Sequence, residues 1–308
     1  MIYTMTLNPS IDYYVYVDQF QVGGLNRMTK DQKYPGGKGI NVSRVLSRIG
    51  VPTKALGFVG GFTGQYIQDG LNNEGIETDF VKVEGDTRIN IKLKTGEETE
   101  INGAGPAISK DKVHELLAKI EGMSNGDTLV LAGSIPSSLD AGLYRDIMRR
   151  CMDKGIRAVV DTSGQVMLEL LRYRPFLAKP NQQELGEFFH VNIESLEDVL
   201  RYGRQLVDRG AQHVIVSMAG DGAMLITTEA AYVANVPQGK VINSVGAGDS
   251  LVAGFIGCYA VTGSIQEAFA YGVATGSATA FSSDLCKKEY IEELLPQIKL
   301  TQVGESAS

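Results

Sequence analysis

An acidic residue stands directly after a glycine turn in the second half of the sequence, where Gly246, Ala247 and Gly248 precede Asp249. An apolar run at helical spacing follows, which predicts a loop that turns into a helix at Asp249. The first amides of a helix lack internal partners, and together with the helix dipole they bind an anion such as a phosphate. An acid at this place can take a proton from a neighbouring hydroxyl, which phosphoryl transfer to an alcohol requires. The simpler alternative is an Asp that only caps the helix.

A second glycine-rich loop, 35–42, precedes another predicted helix and contains Lys38 and Asn41. Both side chains can face a bound anion or the hydroxyls of a sugar. The loop is not a P-loop, because the spacing G-x-x-x-x-G-K-[ST] is absent. The alternative interpretation is a tight turn with a solvated lysine.

The elements that must position these loops alternate between strand and helix. The predicted strands are 2–7, 128–131, 158–160, 176–178, 213–217 and 223–226, and the predicted helices include 143–152, 196–208, 265–279 and 289–295. This alternation indicates an α/β fold with a mostly parallel sheet and helices on both faces. Ligands bind beyond the carboxyl ends of such strands. Three loops of interest follow strands, and they contain Ser134, 181–184 and 217–222. The role of 161–164, which also follows a strand, stays open.

Two extended segments, about 12–25 and 88–103, differ in character from the alternating elements. In the second, Ile89, Ile91 and Leu93 alternate with polar residues, which is typical of a strand with one solvated face. We expect these segments to form a small β-sheet lid, inserted into a single domain that spans 1–308.

Composition excludes several classes of partner. The net charge of −7 argues against nucleic acid or an anionic membrane. There is no signal-peptide layout, and no apolar run is long enough to span a bilayer. The three cysteines form no paired motif, which favours reduced thiols and a cytoplasmic location. The three histidines lack metal-ligand spacing, and the polar tail 301–308 is predicted to fray.

The two glycine motifs, 35–42 and 243–250, resemble the two signatures of the ribokinase-like (PfkB) sugar kinases, with Ser in the second motif where many members have Thr. The resemblance covers nearly the whole chain. It implies a ribokinase-like three-layer sandwich, with a mostly parallel central sheet and a small inserted β-sheet lid. It also implies ATP and Mg²⁺ as cofactors and a homodimer formed through the lid.

Within that family, 6–12, 87–90 and 98–102 resemble the 1-phosphofructokinase branch, which is close to tagatose-6-phosphate kinase. The implied reaction converts D-fructose 1-phosphate and ATP to D-fructose 1,6-bisphosphate and ADP. The residues by themselves do not choose between fructose 1-phosphate, tagatose 6-phosphate and fructose 6-phosphate. A sugar-phosphate-binding regulator is disfavoured, because such a protein is expected to lose the base or the magnesium motif. A dinucleotide-dependent oxidoreductase is disfavoured because its glycine fingerprint is absent.

The resemblance implies roles for individual residues. Asp249 would be the base for the sugar 6-hydroxyl, and it need not have a raised pKa because the transition state is loose. Gly246, Ala247 and Gly248 would offer amides to the transferring phosphoryl group. The sugar phosphate would be bound by Asp12, Arg27, Gly36, Gly37, Lys38, Asn41, Arg88, Asn90 and Ser134, with Arg27, Arg88 and Asn90 at its phosphate. ATP would lie against Lys179, Asn181, Ser217, Ala219, Gly220, Gly222 and Gly248, with its adenine near 274–280. Asn181 and Glu184 resemble the family's N-x-x-E motif, which helps to hold magnesium through water.

Overall fold

The computed structural model describes residues 1–96, 98–140 and 142–304. Its strands are β1 Ile2–Thr6, β2 Ser10–Tyr16, β3 Lys30–Gly36, β4 Thr53–Val59, β5 Glu77–Thr78, β6 Val81–Lys82, β7 Arg88–Lys94, β8 Glu98–Asn102, β9 Thr128–Ala132, β10 Arg157–Asp161, β11 Leu177–Ala178, β12 His213–Ser217, β13 Ala223–Thr227, β14 Ala231–Ala234 and β15 Leu300–Val303. Its helices are α1 Lys38–Arg48, α2 Gly61–Asn73, α3 Lys110–Glu121, α4 Leu143–Lys154, α5 Gln165–Leu170, α6 Gln182–Phe189, α7 Leu196–Asp208, α8 Ala247–Thr262, α9 Ile265–Ala280 and α10 Lys288–Leu294.

The large sheet has the order β15-β14-β13-β12-β11-β10-β9-β1-β4-β5, with β6 also paired to β4. Every pairing from β12 to β5 is parallel, and the antiparallel pairs are confined to β12 through β15 at one end. The predicted mostly parallel sheet is therefore confirmed.

Alternate residues of β9 show that helices cover both faces of the large sheet. Leu129 and Leu131 belong to one apolar cluster, which also contains buried residues of α3 to α7. Val130 belongs to a second cluster with residues of α1, α8, α9 and α10. Successive side chains of a strand point to opposite faces, so the arrangement is helices, sheet and helices. This three-layer α/β sandwich confirms the predicted fold class.

A separate small sheet, formed by β2, β3, β7 and β8, lies in the order β3-β2-β7-β8. Ser10 pairs with Arg88 in the parallel ladder of β2 and β7. A third apolar cluster joins this sheet to the rest of the fold, because it contains Ile11 of β2, Ile40 of α1 and Ile67 of α2.

The sequence missed one strand of the small sheet. The sequence pattern assigns residues 35–36 to the glycine loop 35–42, and the rest of β3 lies outside the expected segment 12–25. Its sequence, KDQKYPG, has no apolar alternation, so no period-2 pattern indicates a strand. It forms a strand because the whole of β2 provides a ladder for it, from Ser10 opposite Gly36 to Tyr16 opposite Lys30.

Helix α8 starts two residues earlier than predicted. Gly246 has a left-handed backbone with φ 79° and is its N-cap, so Asp249 is the third helical residue. The sequence signal for α7 is confirmed, because Ser195 accepts a hydrogen bond from the Asp198 amide in a capping box.

The tail prediction is wrong for 301–303, which belong to the strand β15. Val303 pairs with Ala231, and β15 is held by its antiparallel ladder to β14. The polar composition of the tail wrongly predicted fraying, because the backbone hydrogen bonds between β15 and β14 do not depend on side-chain polarity. Residues 305–308 lie outside the described residues. In the part of the chain that is described, no helix has the length and apolar character to cross a bilayer.

Candidate active site

Two cavities lie side by side at the loops that follow the parallel strands. The first cavity, of about 370 Å³, is lined by Ser10, Asp12, Lys38, Asn90 and Asp249 among others. The second cavity, of about 1140 Å³, is lined by 219–220 and by parts of α6, α8 and α9. Asn181, Ser217 and Gly248 line both cavities. A molecule in one cavity can therefore reach a molecule in the other across this shared wall.

The two glycine loops meet at a hydrogen bond between Asn41 and Asp249. Asn41 Nδ2 donates to Asp249 Oδ2 at 2.8 Å, and the Asp249 side chain is buried. Burial raises the pKa of Asp249 to about 6, and the neighbouring charge of Asp161 acts in the same direction. Lys38 and the Asn41 hydrogen bond oppose this rise. The interpretation from sequence does not require a raised pKa, whereas burial of the Asp249 carboxyl group raises it.

Asp161 was left open in the sequence, and it lies at the centre of a charged group. It is the last residue of β10, and its Oδ1 accepts from Lys38 Nζ at 2.9 Å. Lys179 Nζ lies 3.5 Å from its Oδ2. Burial alone would raise the pKa of Asp161, but Lys179 and Lys38 hold it below the ordinary value. Burial disfavours the charge of Lys38, yet Asp161 and Asp249 raise its pKa overall. The sequence signal that could have identified Asp161 as a site residue is an acid at the carboxyl end of a buried strand, where ligands bind in such sheets.

The small sheet contributes a second polar group to the first cavity. Asp12 Oδ1 accepts from Ser10 Oγ at 2.8 Å and from Asn90 Nδ2 at 3.2 Å. The Oδ1 atom of Asn90 is buried and has no hydrogen-bond partner among the residues that the structure describes. A methyl group at Gly36 would lie 2.3 Å from Asp12 Oδ2, so this position needs glycine for the carboxylate to fit.

Four predicted sugar-phosphate residues, Arg27, Gly36, Arg88 and Ser134, line neither cavity. Arg27 is exposed in the loop between β2 and β3, and Ser134 is exposed after β9. Arg88 donates from Nε to the Asn8 carbonyl and from Nη1 to the Gly103 carbonyl, each at 3.2 Å. Of the predicted sugar-binding residues, the structure brings Asp12, Gly37, Lys38, Asn41, Asn90 and Asp249 to the first cavity.

The N-x-x-E residues form a capping box at the start of α6. Asn181 Oδ1 accepts from the Glu184 amide at 2.8 Å, and Glu184 Oε2 accepts from the Asn181 amide at 2.9 Å. Both side chains also line the first cavity. Among the residues that the structure describes, no group of three or more His, Cys, Asp or Glu is arranged to hold a metal.

Carboxylates outnumber lysines around the first cavity. Lys38 and Lys179 stand against four acids, which are Asp12, Asp161, Glu184 and Asp249. Hard cations bind oxygen ligands, and Mg²⁺ in phosphate sites keeps several waters and few protein ligands. The donor set therefore fits a Mg²⁺ ion that is held mainly by phosphate oxygens and water.

The second cavity has a backbone wall and an apolar interior. Ala219 and Gly222 take left-handed backbone angles, with φ 49° and 92°, in the tight turn between β12 and β13. From the predicted adenine region, Gly276, Ser277 and Ala280 line the cavity. The sequence missed other parts of the wall, because no motif marks them. They include His190, Val191, Ile193, Val236, Val241 and Phe281.

Comparisons with known proteins agree on one family. The family described as pfkB family carbohydrate kinase matches residues 5–289. The chain is 56% identical to the 1-phosphofructokinase of Bacillus subtilis (strain 168), over 98% of this chain and 100% of that protein. It is 39% identical to the D-tagatose-1-phosphate kinase of Bacillus licheniformis, over 98% and 100% respectively.

Among solved structures, the phosphofructokinase-2 from Escherichia coli in complex with fructose-6-phosphate has a TM-score of 0.90 and 30% identity. The match covers 96% of this chain and 98% of that one. The same Escherichia coli protein has also been solved in a tetrameric inhibited form.

Proposed function

Because this chain belongs to the pfkB family of carbohydrate kinases, we propose that it is a 1-phosphofructokinase. It transfers the terminal phosphoryl group of ATP to the 6-hydroxyl of D-fructose 1-phosphate. The observation that carries this proposal is the position of Asp249, a buried acid of raised pKa that lines a polar cavity directly after a glycine turn.

Each substrate has a cavity that suits it. ATP lies in the second cavity, with its base among the apolar side chains and its phosphates along the 219–222 turn. The sugar phosphate lies in the first cavity, where Asp12 and the free Oδ1 atom of Asn90 accept hydrogen bonds from its hydroxyls. The phosphoryl group crosses at the shared wall formed by Asn181, Ser217 and Gly248.

Asp249 is the base. Its Oδ2 is occupied by the Asn41 amide, which leaves Oδ1 to accept the proton of the sugar 6-hydroxyl. A pKa of about 6 keeps most of the carboxylate ionised at neutral pH and makes it a stronger base than an exposed aspartate. The hydrogen bond from Asn41 fixes the orientation of the carboxyl plane.

The start of α8 faces the transferring phosphoryl group. Ala247 donates its amide to the Ser244 carbonyl at 3.2 Å, so Gly248, which lines both cavities, is the favoured backbone contact. The ammonium groups of Lys38 and Lys179 neutralise the charge that the phosphates bring. Asn181 and Glu184 would hold Mg²⁺ through water, and the ion would neutralise charge on the phosphate oxygens.

The small sheet acts as the lid of the first cavity and joins two chains into a homodimer. Within the described part of the chain its outer strands β3 and β8 have unpaired edges, and an open sheet edge favours pairing with another chain. Ile89 and Ile101 are 40% and 55% exposed on this sheet. The enzyme acts in the cytoplasm, where ATP and sugar phosphates are available.

A panel of sugar phosphates tests the substrate. ADP release is measured at equal concentrations of fructose 1-phosphate, fructose 6-phosphate, tagatose 6-phosphate and tagatose 1-phosphate. We expect the highest kcat/KM with fructose 1-phosphate. The identity to a D-tagatose-1-phosphate kinase makes tagatose 1-phosphate the second candidate. ATP binding without ADP release on any sugar would instead favour a regulator.

A further inference from the structure

Asp161, a buried carboxylate that the mechanism above does not use, lies against the first cavity. It is 1% exposed, and its two oxygens face two different lysines. Lys38 Nζ donates to Oδ1 at 2.9 Å. Lys179 Nζ is 3.5 Å from Oδ2, an oxygen that makes no hydrogen bond. A buried carboxylate is costly to the fold unless it is paired. The burial of Asp161 therefore depends on the two lysines, and we ask what this charged group contributes to the cavity.

The two lysines reach Asp161 from distant parts of the fold. Lys38 is the first residue of α1, and Lys179 directly follows β11. Lys179 also lies against the start of α8, because a methyl group built on Gly248 would be 3.2 Å from its Nζ. Asp161 therefore ties together the two basic side chains of the first cavity, one of them beside the glycine turn.

We infer that Asp161 is a positioning residue, which holds the ammonium groups of Lys38 and Lys179 beside the glycine turn before the phosphates arrive. The inference rests on the proposed kinase function. A lysine side chain is flexible and loses conformational entropy when it is fixed in one place. By fixing both groups in the folded protein, Asp161 removes that loss from the phosphoryl-transfer step.

Removal of the Asp161 charge has a defined structural consequence. The two ammonium groups would repel each other, and of the remaining carboxylates that act on Lys38, Asp249 acts more strongly than Glu184. The base would then be engaged in an ion pair and would be weaker.

The role inferred for Asp161 concerns two ammonium groups, because its oxygens face Lys38 and Lys179. It is separable from the Mg²⁺ role proposed for Asn181 and Glu184, whose side chains are joined to each other's backbone in a capping box.

The pH dependence of kcat provides a readout that a purely structural role would not change. The charged groups that face Asp249 are Asp161 of β10, Lys38 of α1, Lys179 after β11, Asp12 of β2 and Glu184 of α6. Asp161→Asn removes one negative charge and releases one positive charge toward Asp249. The acid limb of the kcat profile should therefore move to lower pH.

The kinetic test uses Asp161→Asn, Asp161→Glu, Lys179→Met and the double variant Asp161→Asn/Lys179→Met. We expect kcat of Asp161→Asn to fall about 100-fold, the scale for misplaced catalytic groups, while the KM values of both substrates change less. Asp161→Glu should recover part of kcat. If Asp161 acts through Lys179, the double variant loses no more than the larger single loss. Independent, multiplying losses would overturn the inference, as would a loss of kcat that excess Mg²⁺ restores.

A crystal structure of Asp161→Asn gives a readout that needs no activity. We expect one lysine ammonium to have moved into ion-pair distance of the Asp249 carboxylate. Both lysines unmoved would overturn the inference, even if the wild type phosphorylates none of the sugars and the proposed function itself fails. If the unpaired charges prevent folding, the structure of Asp161→Asn/Lys179→Gln is used. In that variant Lys38 should turn to Asp249, and an unmoved Lys38 would count against the inference.

Discussion

Asn41 and Asp249 are 208 residues apart in the chain and share a hydrogen bond of 2.8 Å. The bond joins the first residues of α1 to the first turn of α8, so each glycine loop fixes the functional side chain of the other. The Asn41 amide contacts only the Oδ2 atom of Asp249, and Oδ1 is the atom to which we assign the proton of the sugar hydroxyl.

Asp249→Asn should lower kcat by about 100- to 10,000-fold, which is the contribution of a positioned general base. The amide keeps the shape of the carboxyl group, so the fold and ATP binding should be retained. Steady-state kinetics give kcat, and calorimetry of ATP binding is the control. Near-normal turnover would remove Asp249 from the role of base.

The same variant should unfold at an equal or higher temperature than the wild type at neutral pH. The pKa of Asp249 is raised to about 6 in the folded protein, above the value of about 3.9 for an exposed aspartate. Ionised Asp249 therefore costs stability above pH 6, and the folded wild type takes up a proton as the pH falls below 6. The difference between the two melting temperatures, wild type minus Asp249→Asn, should increase as the pH is lowered from 7 to 4.5. A difference that is independent of pH would contradict the raised pKa.

Gly36→Ala should weaken sugar-phosphate binding. The added methyl group meets Asp12 Oδ2 at 2.3 Å and forces the carboxylate away from Ser10 and Asn90. Loss of a hydrogen bond to a charged group costs about 1.5–3 kcal/mol, so the KM for the sugar should rise roughly 10- to 150-fold. The KM for ATP should stay within error. Gly122→Ala is the matched control, because its methyl group would have only an ordinary contact at 3.4 Å.

Glu184→Gln should raise the Mg²⁺ concentration needed for half-maximal rate by about 10-fold, the scale for outer-shell metal partners. Gln can keep the capping box with Asn181, so the loss is one of charge and not of helix stability. Asp198→Asn changes the same position of the capping box of α7, away from both cavities, and should leave the Mg²⁺ dependence unchanged. Chelation of Mg²⁺ should abolish the wild-type activity. An unchanged Mg²⁺ requirement in Glu184→Gln would exclude Glu184 from the metal site.

Light scattering at micromolar concentration should give twice the mass of one chain. Ile89→Asp combined with Ile101→Asp should reduce this to the monomer mass, because both side chains are exposed on the small sheet. Val261→Asp changes an apolar side chain that is 81% exposed at the end of α8 and should leave the dimer intact. A wild-type monomer would reject assembly through the small sheet.

Structural features that depend only on residues close together in the sequence were predicted correctly from local signals. Ser195 as a helix cap and the strand His213–Ser217 are examples, since a cap and a buried apolar run are each encoded within a few residues. The predicted start of α8 is two residues too late, because Gly246 takes a left-handed backbone conformation that the sequence pattern does not show.

Features that arise from distant contacts were not predictable in this way. β3 lacks an apolar period and becomes a strand only beside β2. A role for Asp161 can be inferred only when Lys38 and Lys179 are seen beside it, and these two lysines come from separate parts of the chain. The apolar walls of the second cavity, such as Phe281, carry no motif, and the fold alone brings them together.

The small sheet is joined to the large one by four stretches of chain: 7–9 between β1 and β2, Gly37 between β3 and α1, 83–87 between β6 and β7, and 103–109 between β8 and α3. A single proteolytic cut in any one of them leaves three tethers, so no fragment containing the whole small sheet can be released in one step. Four anchors also oppose a wide swing and favour a small rocking displacement.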